Sequence, residues 1–394
     1  MQYRTDPKSG NKLSILGFGC MRLPRNIARI DMGKTETLIL EAVEKGINYF
    51  DTAYLYFGSE EALGTVLHKN NLRDRVFIAT KLPIMKCHSY EDFDRLFQIQ
   101  LEHLETDYID YYFMHSLSDM KNWDRLCALG VEKWIAEKKA AGQIKQVGFS
   151  FHGTHAEFMS LLDAYDWDFV QIQYNYVNEH YQAGREGLQK AAGKGLPVFI
   201  MEPLLGGKLA TGLPKKAVEL FARSNAALSP AAWSLRWLWD QKEVTVVLSG
   251  MNDTAQLIEN TAIAETAVSG MLTEKERDVI ASVVDIFRES YKIPCTGCNY
   301  CMPCPQGINI PACFSAYNMS YAVGKFSGIQ QYVTTVGAMH PDKKTSASDC
   351  LKCGQCETHC PQHIGIVESL EDVSKRMEPL WFNAAIKLVR ALTN

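Results

Sequence analysis

The sequence predicts an α/β fold: a (β/α)8 barrel followed by a small, mostly α-helical domain. Two observations carry this prediction. Eight short apolar runs alternate with amphipathic helical stretches through residues 1–290, and nine of the twelve cysteines lie between Cys295 and Cys360. Strands that alternate with helices form parallel βαβ units, and eight such units close into a barrel filled by side chains. We therefore predict two domains, at residues 1–290 and 291–394.

The eight predicted strands are short apolar runs bounded by polar or turn-forming residues. They are Ile15–Phe18, Ile47–Asp51, Val76–Thr80, Tyr108–Met114, Val147–Phe151, Phe169–Tyr174, Pro197–Met201 and Val244–Leu248. The predicted helices are Glu36–Lys45, Glu60–Leu67, Asp92–Leu104, Leu126–Ala140, Ala156–Tyr165, Arg185–Ala192, Ala231–Asp240, Ala255–Thr261 and Thr273–Glu289. An open doubly wound sheet is the alternative, and it usually carries a glycine-rich turn after its first strand. The stretch 16–20 matches only part of that turn, so the barrel is favoured.

Composition narrows the class of protein. The chain of 394 residues is 46% hydrophobic and carries a net charge of −4 with both signs mixed. Without a basic stripe we expect no nucleic-acid partner. No apolar run reaches the roughly 20 residues of a membrane span, and no secretory signal is readable, so we expect a cytoplasmic protein. An amphipathic stretch at 377–392 is predicted to form a C-terminal helix that packs on its own domain, or alternatively on a membrane surface.

Four side chains with complementary acid–base chemistry stand at the ends of three successive predicted strands. Asp51 and Tyr56 follow the second strand, Lys81 the third and His115 the fourth. The chemistry of (β/α)8 barrels takes place at this end of the strands. A single Asp or His in such a place is often a helix cap or a structural residue, but the ordered set indicates an active site.

The four groups together suit proton transfer to a carbonyl oxygen. A tyrosine is a poor acid at neutral pH unless a nearby cation lowers its pKa. Lys81 can supply that charge to Tyr56, while Asp51 pairs with the lysine and orients it. His115 can donate a hydrogen bond to an oxygen that becomes negatively charged.

The barrel segment resembles the aldo-keto reductase superfamily. The resemblance lies in Phe50-Asp51-Thr52-Ala53 with Tyr56 and in Ser59-Glu60-Glu61-Ala62-Leu63-Gly64, and it extends from residue 1 to about residue 265. It implies a TIM barrel and hydride transfer between NADP or NAD and a small-molecule carbonyl or alcohol. It also implies that Asp51, Tyr56, Lys81 and His115 form the family's catalytic tetrad, with Tyr56 as the general acid.

The resemblance further implies a nucleotide site in which several residues depart from the family's pattern. The implied positions are Ser150, Gln171, Met201, Ser249, Gly250, Gln256, Glu259 and Asn260. Met201 replaces the aromatic residue that usually stacks on the nicotinamide, and methionine covers a ring more softly. Gly250 and Gln256 stand where NADPH-preferring relatives often carry Lys or Arg. Either NADH is accepted, or another basic residue such as Lys208 binds the 2′-phosphate. Glu259 and Asn260 fit the adenine contacts, or alternatively form an exposed helix end.

The cysteine segment contains two closely spaced groups. The second group, Cys350, Cys353, Cys356 and Cys360 before a proline, has the full C-x2-C-x2-C-x3-C-P ferredoxin spacing. Disulfides suit small secreted domains, and zinc usually takes two separated C-x2-C pairs. The segment therefore predicts a ferredoxin-like iron–sulfur domain with a [4Fe–4S] cluster.

The first group predicts a second cluster with a less regular motif. It consists of Cys295, Cys298, Cys301 and Cys304, with two residues rather than three before the last cysteine. In the expected scheme the first three cysteines share a cluster with Cys360, and the second group shares the other with Cys304. Cys313 is predicted to be structural. The interval 306–349 looks partly helical and resembles the α-helical ferredoxin modules of multi-subunit redox enzymes.

The leading functional hypothesis is an oxidoreductase that couples carbonyl or alcohol chemistry in the barrel to electron transfer through the clusters, with a redox partner protein. Because hydride carries two electrons and a cubane passes one, a transducer such as flavin is normally needed, although no flavin motif is present. The alternatives are a plain NAD(P)H-dependent carbonyl reductase with structural clusters, and a redox or oxygen sensor.

Overall fold

The computed structural model describes residues 1–26, 29–335, 345–379 and 382. The chain forms two compact units, one built from residues 1–204 and 231–273, the other from residues 205–230 and those after 273. The domain boundary drawn from the sequence at 290/291 stays a prediction, and the compact units divide at other positions. Within the described ranges, no helix has the length and apolar character that crossing a membrane requires.

The first unit is a closed barrel of parallel strands, which confirms the predicted fold class. The strands of the described residues are β1 (Tyr3–Thr5), β2 (Lys12–Ser14), β3 (Leu16–Gly19), β4 (Arg25–Asn26), β5 (Arg29–Ile30), β6 (Tyr49–Asp51), β7 (Phe77–Leu82), β8 (Ile109–Met114), β9 (Ile144–Phe151), β10 (Phe169–Gln173), β11 (Val198–Met201) and β12 (Val244–Ser249). The barrel order is β3-β6-β7-β8-β9-β10-β11-β12, and β12 pairs with β3 to close it. All eight predicted strands are present with slightly different bounds. The hairpins β1–β2 and β4–β5 were not predicted.

Helices follow the barrel strands, and local side chains cap the amino ends of some of them. The helices of the first unit are α1 (Met32–Glu44), α2 (Ser59–Lys69), α3 (Tyr90–His103), α4 (Met120–Ala128), α5 (Val131–Ala140), α6 (His155–Ala164), α7 (Gly184–Gly193), α9 (Pro230–Trp239) and α10 (Thr254–Thr266), and α8 (Lys215–Ser224) lies in the second unit. Asp119 and Asp253 accept hydrogen bonds from the first-turn amides of α4 and α10. Such caps satisfy amides that have no partner within the helix.

The predicted single helix Leu126–Ala140 is wrong in one respect, because the structure has two helices there. Gly130 separates α4 from α5 with a φ of 90°, a left-handed conformation that glycine adopts without steric cost. The amphipathic pattern continues through the break because both helices bury apolar side chains, so periodicity alone did not reveal it.

Aromatic side chains fill the barrel interior. Tyr49, Tyr111, Phe113, Phe169 and Phe199 are fully buried and pack against one another with ring centroids 4.6 to 6.5 Å apart. Asp6, in the turn of the β1–β2 hairpin, accepts a 2.9 Å hydrogen bond from the Tyr111 hydroxyl. The interior is therefore a packed core, and chemistry is confined to the ends of the strands.

The second unit is helical and has a core of its own. Its remaining described helices are α11 (Glu274–Ser290), α12 (Ile310–Ala322), α13 (Lys325–Thr335), α14 (Gln355–Thr358) and α15 (Ile366–Met377). Asn318 of α12 accepts hydrogen bonds from the amides of Lys292 and Ile293 and donates one to the Ile293 carbonyl, which ties α12 to the chain after α11. Helices α12 and α13 confirm that the interval 306–349 is partly helical. The predicted amphipathic helix at 377–392 lies outside the described residues, apart from 377–379 and 382.

Candidate active site and cluster-binding segment

A buried ion pair lies at the centre of the candidate active site. Lys81, near the end of β7, is 1% exposed, and its Nζ atom donates to Asp51 Oδ1 at 2.6 Å and to the Thr52 carbonyl at 2.7 Å. Gln171 of β10 donates to the other Asp51 oxygen at 3.0 Å. Burial lowers the pKa of Lys81, and the charge of Asp51 acts in the opposite direction. A buried charge of this kind is stable only when paired, so each partner holds the other in position.

The Tyr56 and His115 rings lie next to the ion pair. The Lys81 ammonium is 5.1 Å from the centroid of the Tyr56 ring, and the Tyr56 ring meets the His115 ring edge-on with centroids 6.0 Å apart. A positive charge at this distance stabilises negative charge on the phenol oxygen. The structure therefore brings all four predicted residues of the tetrad together.

His115 is a buried and neutral imidazole. It is 3% exposed, and its Nδ1 atom has no hydrogen-bond partner in the described part of the chain. Burial lowers the pKa of His115 well below its usual value, and the charges of Lys81 and His152 act in the same direction. A neutral imidazole has one N–H donor and one acceptor, which suits binding an oxygen rather than transferring a proton.

Sequence reasoning missed a buried polar network behind the lysine. Glu60 of α2 is 2% exposed and accepts from the Thr80 hydroxyl at 2.5 Å and from the Gln100 amide at 2.7 Å. The same Gln100 amide donates to the Lys81 carbonyl at 3.1 Å, and His103 contacts the other Glu60 oxygen at 3.4 Å. The network fixes the backbone of β7 where it carries Lys81. The network could have been inferred from the sequence, because Glu60 is an acidic residue on the apolar face of a predicted helix.

The predicted nucleotide residues fall into two places. Ser150 and Gln171 are buried in the neighbouring strands β9 and β10, and Met201 is partly buried at the end of β11. At the end of β12, Ser249 accepts a 3.2 Å hydrogen bond from the buried Asn260 of α10. The three exposed positions are Gly250, Gln256 and Glu259.

A basic side chain that the sequence did not single out lies against the predicted phosphate loop. A Cβ atom placed on Gly250 would be 3.4 Å from Arg22 Cβ and 3.5 Å from Arg22 Cδ. Arg22 ends the short 3-10 helix that follows β3, the strand that pairs with β12. Arg22 therefore places a basic side chain next to Gly250 in the predicted phosphate loop.

Phe151, which follows Ser150 in β9, lies in the hydrophobic core and not in the candidate active site. Its ring is fully buried and packs on Phe149 and Phe158, outside the barrel wall. Trp123 is likewise buried against Tyr165 and Trp167. Neither ring is therefore available to line a substrate pocket.

Eight of the nine cysteines of the second unit line two cavities. Cys295, Cys298, Cys301 and Cys360 line one, and Cys304, Cys350, Cys353 and Cys356 line the other, with Cys301 at the border of both. Cys360 therefore lies with the first group and Cys304 with the second, as the expected scheme requires. In the described ranges, no three or more His, Cys, Asp or Glu side chains are close enough together to hold a single metal ion.

Crowding of the thiols affects their ionisation. Burial raises the pKa of Cys301 to about 12, and the charges of Cys295, Cys298 and Cys360 act in the same direction. Burial also raises the pKa of Cys356 to about 11. Bound cations offset repulsion of this kind because ligating thiols are deprotonated by the metal. Cys313 is fully buried in α12 and lines neither cavity.

Known protein families match both units. The model of the aldo/keto reductase family matches residues 15–278, and that of the 4Fe-4S dicluster domain matches residues 294–364. The second match confirms the predicted iron–sulfur domain.

Characterised proteins resemble the chain over the barrel. L-galactose dehydrogenase of Arabidopsis thaliana is 26% identical over 310 residues, which cover 71% of this chain and 94% of that protein. Methylglyoxal reductase YeaE of Escherichia coli (strain K12) is 26% identical over 246 residues, which cover 60% of this chain and 81% of that protein.

Solved structures share the barrel. The holo form of aldo-keto reductase AKR11C1 from Bacillus halodurans superposes with a TM-score of 0.59 at 24% identity and covers 72% of this chain and 96% of its own. An aldo-keto reductase from Klebsiella pneumoniae in complex with NADPH gives the same TM-score and coverage at 20% identity. With a family match over residues 15–278, the chain belongs to the aldo/keto reductase family of oxidoreductases.

Proposed function

We propose that the barrel interconverts small-molecule carbonyl and alcohol groups with NADP or NAD, using Asp51, Tyr56, Lys81 and His115 as its tetrad. The observation that carries this proposal is the buried Lys81–Asp51 pair directly beside the Tyr56 and His115 rings. A lysine buried this deeply is costly to the fold, and its ammonium group, 5.1 Å from the Tyr56 ring centroid, is close enough to act on the phenol.

Each member of the tetrad has a separate task. Tyr56 holds the proton that the substrate oxygen receives as the carbonyl becomes an alcohol, and it takes that proton back in the reverse direction. Lys81 stabilises the resulting phenolate, and Asp51 keeps the lysine charged and aligned. His115 is neutral at pH 7, and its N–H orients the substrate oxygen toward Tyr56.

The nicotinamide nucleotide would supply or accept the hydride. Ser150, Gln171 and Met201 would hold its nicotinamide end because each lies within the last three residues of β9, β10 or β11, and Gln171 contacts Asp51. The adenine and phosphate end would lie over 249–260 and contact Ser249, Gly250, Gln256, Glu259 and Asn260. Arg22 would supply positive charge beside Gly250. The NADPH complex of the Klebsiella pneumoniae relative supports NADP as the first choice.

The second unit would hold two [4Fe–4S] clusters and pass electrons to a partner protein. Cys295, Cys298, Cys301 and Cys360 would bind one cluster, and Cys304, Cys350, Cys353 and Cys356 the other. The division of the cysteines between two cavities supports this scheme. Cubanes carry single electrons, so coupling to hydride chemistry needs a group that splits the electron pair, such as a bound flavin.

Replacing Tyr56 tests the barrel chemistry. Tyr56→Phe removes the proton donor, so kcat for a panel of aldehydes and their alcohols should fall about 10²–10⁴-fold. The dissociation constant of NADPH, measured by fluorescence titration, should stay unchanged. Tyr54→Phe, a substitution in the same loop, is the matched control and should leave kcat near the wild-type value. Equal kcat in Tyr56→Phe and wild type would overturn the role of the tetrad.

Protein purified without oxygen tests the cofactor set. Iron, sulfide, flavin and nicotinamide nucleotide are measured on one sample, and about eight iron and eight sulfide per chain are expected for two cubanes. Flavin in stoichiometric amount would identify the transducer. Variants without clusters that fold poorly yet keep the specific activity of the wild type would favour a plain reductase with structural clusters. A sensor would keep its biological effect in Tyr56→Phe.

A further inference from the structure

A buried hydroxyl lies beside the first cysteine group. Thr296 stands between Cys295 and Cys298 and lines the same cavity as Cys301 and Cys360. The residue is 4% exposed, and its Oγ1 atom is buried without a hydrogen-bond partner among the residues that the structure describes. It is therefore a donor whose acceptor the described chain does not supply.

Such a hydroxyl indicates a ligand. Buried polar atoms in folded proteins almost always have partners, because loss of hydration without a replacement hydrogen bond destabilises the fold. Asn318, a polar side chain of the neighbouring helix α12, is engaged elsewhere, because it accepts hydrogen bonds from the amides of Lys292 and Ile293. The rest of the cavity wall is largely apolar and includes Phe314, Ile364 and Ile366. We therefore expect the acceptor for Thr296 in the group that fills the cavity.

We propose that the Thr296 hydroxyl donates a hydrogen bond to a sulfur of the cluster held by Cys295, Cys298, Cys301 and Cys360, and thereby raises the reduction potential of that cluster. Hydrogen bonds to cluster sulfurs stabilise the reduced form, which carries one more negative charge. The inference rests on the proposed cluster site and adds a residue that adjusts its redox behaviour.

The second cavity has a different surrounding. In the part of its wall that the structure describes, no buried hydroxyl lacks a partner, and the wall includes the exposed Leu351 and Cys353. Two cysteine groups with similar spacing therefore provide different environments. The effect of Thr296 is confined to one cluster of the pair.

Redox titration of the intact protein tests this role. Wild type, Thr296→Val and Thr296→Ser are prepared without oxygen with their clusters in place, and both reduction potentials are followed by electron paramagnetic resonance. Thr296→Val removes the hydroxyl and keeps the shape of the side chain. We expect the equilibrium constant for reduction of one cluster to fall about tenfold, which is about 59 mV for one electron. The other potential should stay in place, and Thr296→Ser should resemble wild type.

Thr358→Val is the matched control. Thr358 lies in the second cysteine group, is exposed, and already donates to the Gln355 carbonyl at 2.8 Å, so its loss should move neither potential. If Thr296→Val does not fold, Thr296→Ala removes the same hydroxyl from a smaller side chain and gives the same comparison.

The results for Thr296→Val and Cys298→Ala distinguish a failure of the Thr296 role from a failure of the proposed cluster site. Both potentials unchanged in Thr296→Val, with full iron and sulfide, would overturn the role of Thr296 and leave the cluster site intact. An iron content that is unchanged by Cys298→Ala would show that the first cluster is not bound where we place it, and would overturn the site together with the inference.

Discussion

Among the single residues of the candidate active site, two buried side chains matter most: a lysine that is paired with a carboxylate and a histidine that is neutral. Burial lowers the pKa of Lys81, and the charge of Asp51, 2.6 Å away, acts in the opposite direction and favours the charged lysine. His115 has no such partner, so burial and the charge of Lys81 keep it neutral. The site thus places a fixed positive charge and a neutral hydrogen-bonding group on either side of one phenol.

The residue types at the strand ends made the four residues of the tetrad predictable. The contacts that support them could not be predicted in this way. Gln171 reaches Asp51 across 120 positions of sequence, and Thr80 reaches Glu60 across 20. No local pattern records such pairs, because each depends on how the barrel closes. Arg22 was missed for the same reason, since its neighbour Gly250 lies far away in the sequence.

Arg22 provides a prediction about nucleotide choice. Its side chain lies next to Gly250, so Arg22→Ala should remove positive charge beside the proposed phosphate loop. We expect the dissociation constant of NADPH to rise about tenfold or more and that of NADH to change much less. Arg25→Ala, a change to an exposed arginine that donates to the Phe57 carbonyl, is the control and should leave the ratio unchanged. Equal weakening of both nucleotides would place the arginine away from the 2′-phosphate.

At the scale of elements, the contact between α2 and the end of α3 requires a glycine. A Cβ atom on Gly64 would lie 2.3 Å from the His103 carbonyl oxygen and 2.6 Å from Leu104 Cα. Both neighbours are backbone atoms, so the helices would have to move apart, and the Glu60–Gln100 hydrogen bond with them. The glycine of the motif at 59–64 is thus explained by close approach.

Gly64→Ala should therefore destabilise the barrel by about 1–3 kcal/mol. Urea unfolding followed by tryptophan fluorescence measures this, because six of the seven tryptophans lie before residue 240. Gly193→Ala is the control: it ends α7, is exposed and has no atom near the added Cβ, so it should be neutral or stabilise by up to about 1 kcal/mol. Similar urea midpoints for Gly64→Ala and Gly193→Ala would show that the helices do not approach each other closely at Gly64.

The same pair of helices predicts a pH dependence. The hydrogen bond with Glu60 raises the pKa of His103 above its usual value, burial acts against it, and the charge of Glu61 adds to the increase. The protonated form is therefore favoured in the folded protein. Its stabilisation is complete below the unfolded pKa of about 6.5 and is lost as the pH rises through the higher folded pKa.

We expect the urea midpoint of wild type to exceed that of His103→Gln by more at pH 5.5 than at pH 8.5. His68→Gln controls for a histidine on the surface, since His68 is largely exposed. A difference that grows with pH would show that His103 is bound in its neutral form.

At the scale of the whole molecule, the sequence and the structure agree on a barrel joined to an iron–sulfur domain. The eight strands were predictable because each is a local apolar run. Helix α8 was missed because two helices, α8 and α9, lie between β11 and β12, and only the second was predicted. Cysteine spacing predicted the iron–sulfur domain and the exchange of Cys304 and Cys360 between the groups, and the two cavities are lined in that arrangement.

The exchanged ligands give a prediction about metal content. Cys304→Ala should lose about four iron per chain, because it removes a ligand of the second cluster and leaves the first intact. Cys313→Ala is the matched control and should keep the full content, since this buried cysteine lines neither cavity. Full iron in Cys304→Ala, or a loss in Cys313→Ala, would require a different ligand set.

We propose that one chain joins nicotinamide-dependent chemistry to one-electron carriers. An anaerobic titration with NADPH tests this coupling. NADPH is added stepwise to protein with oxidised clusters while electron paramagnetic resonance records the reduced clusters. With a bound transducer such as flavin to split the electron pair, we predict that about one equivalent delivers two electrons and that each of the two proposed clusters receives one. Clusters that stay oxidised while the same protein reduces an aldehyde with NADPH would contradict the claim and leave a plain reductase with structural clusters.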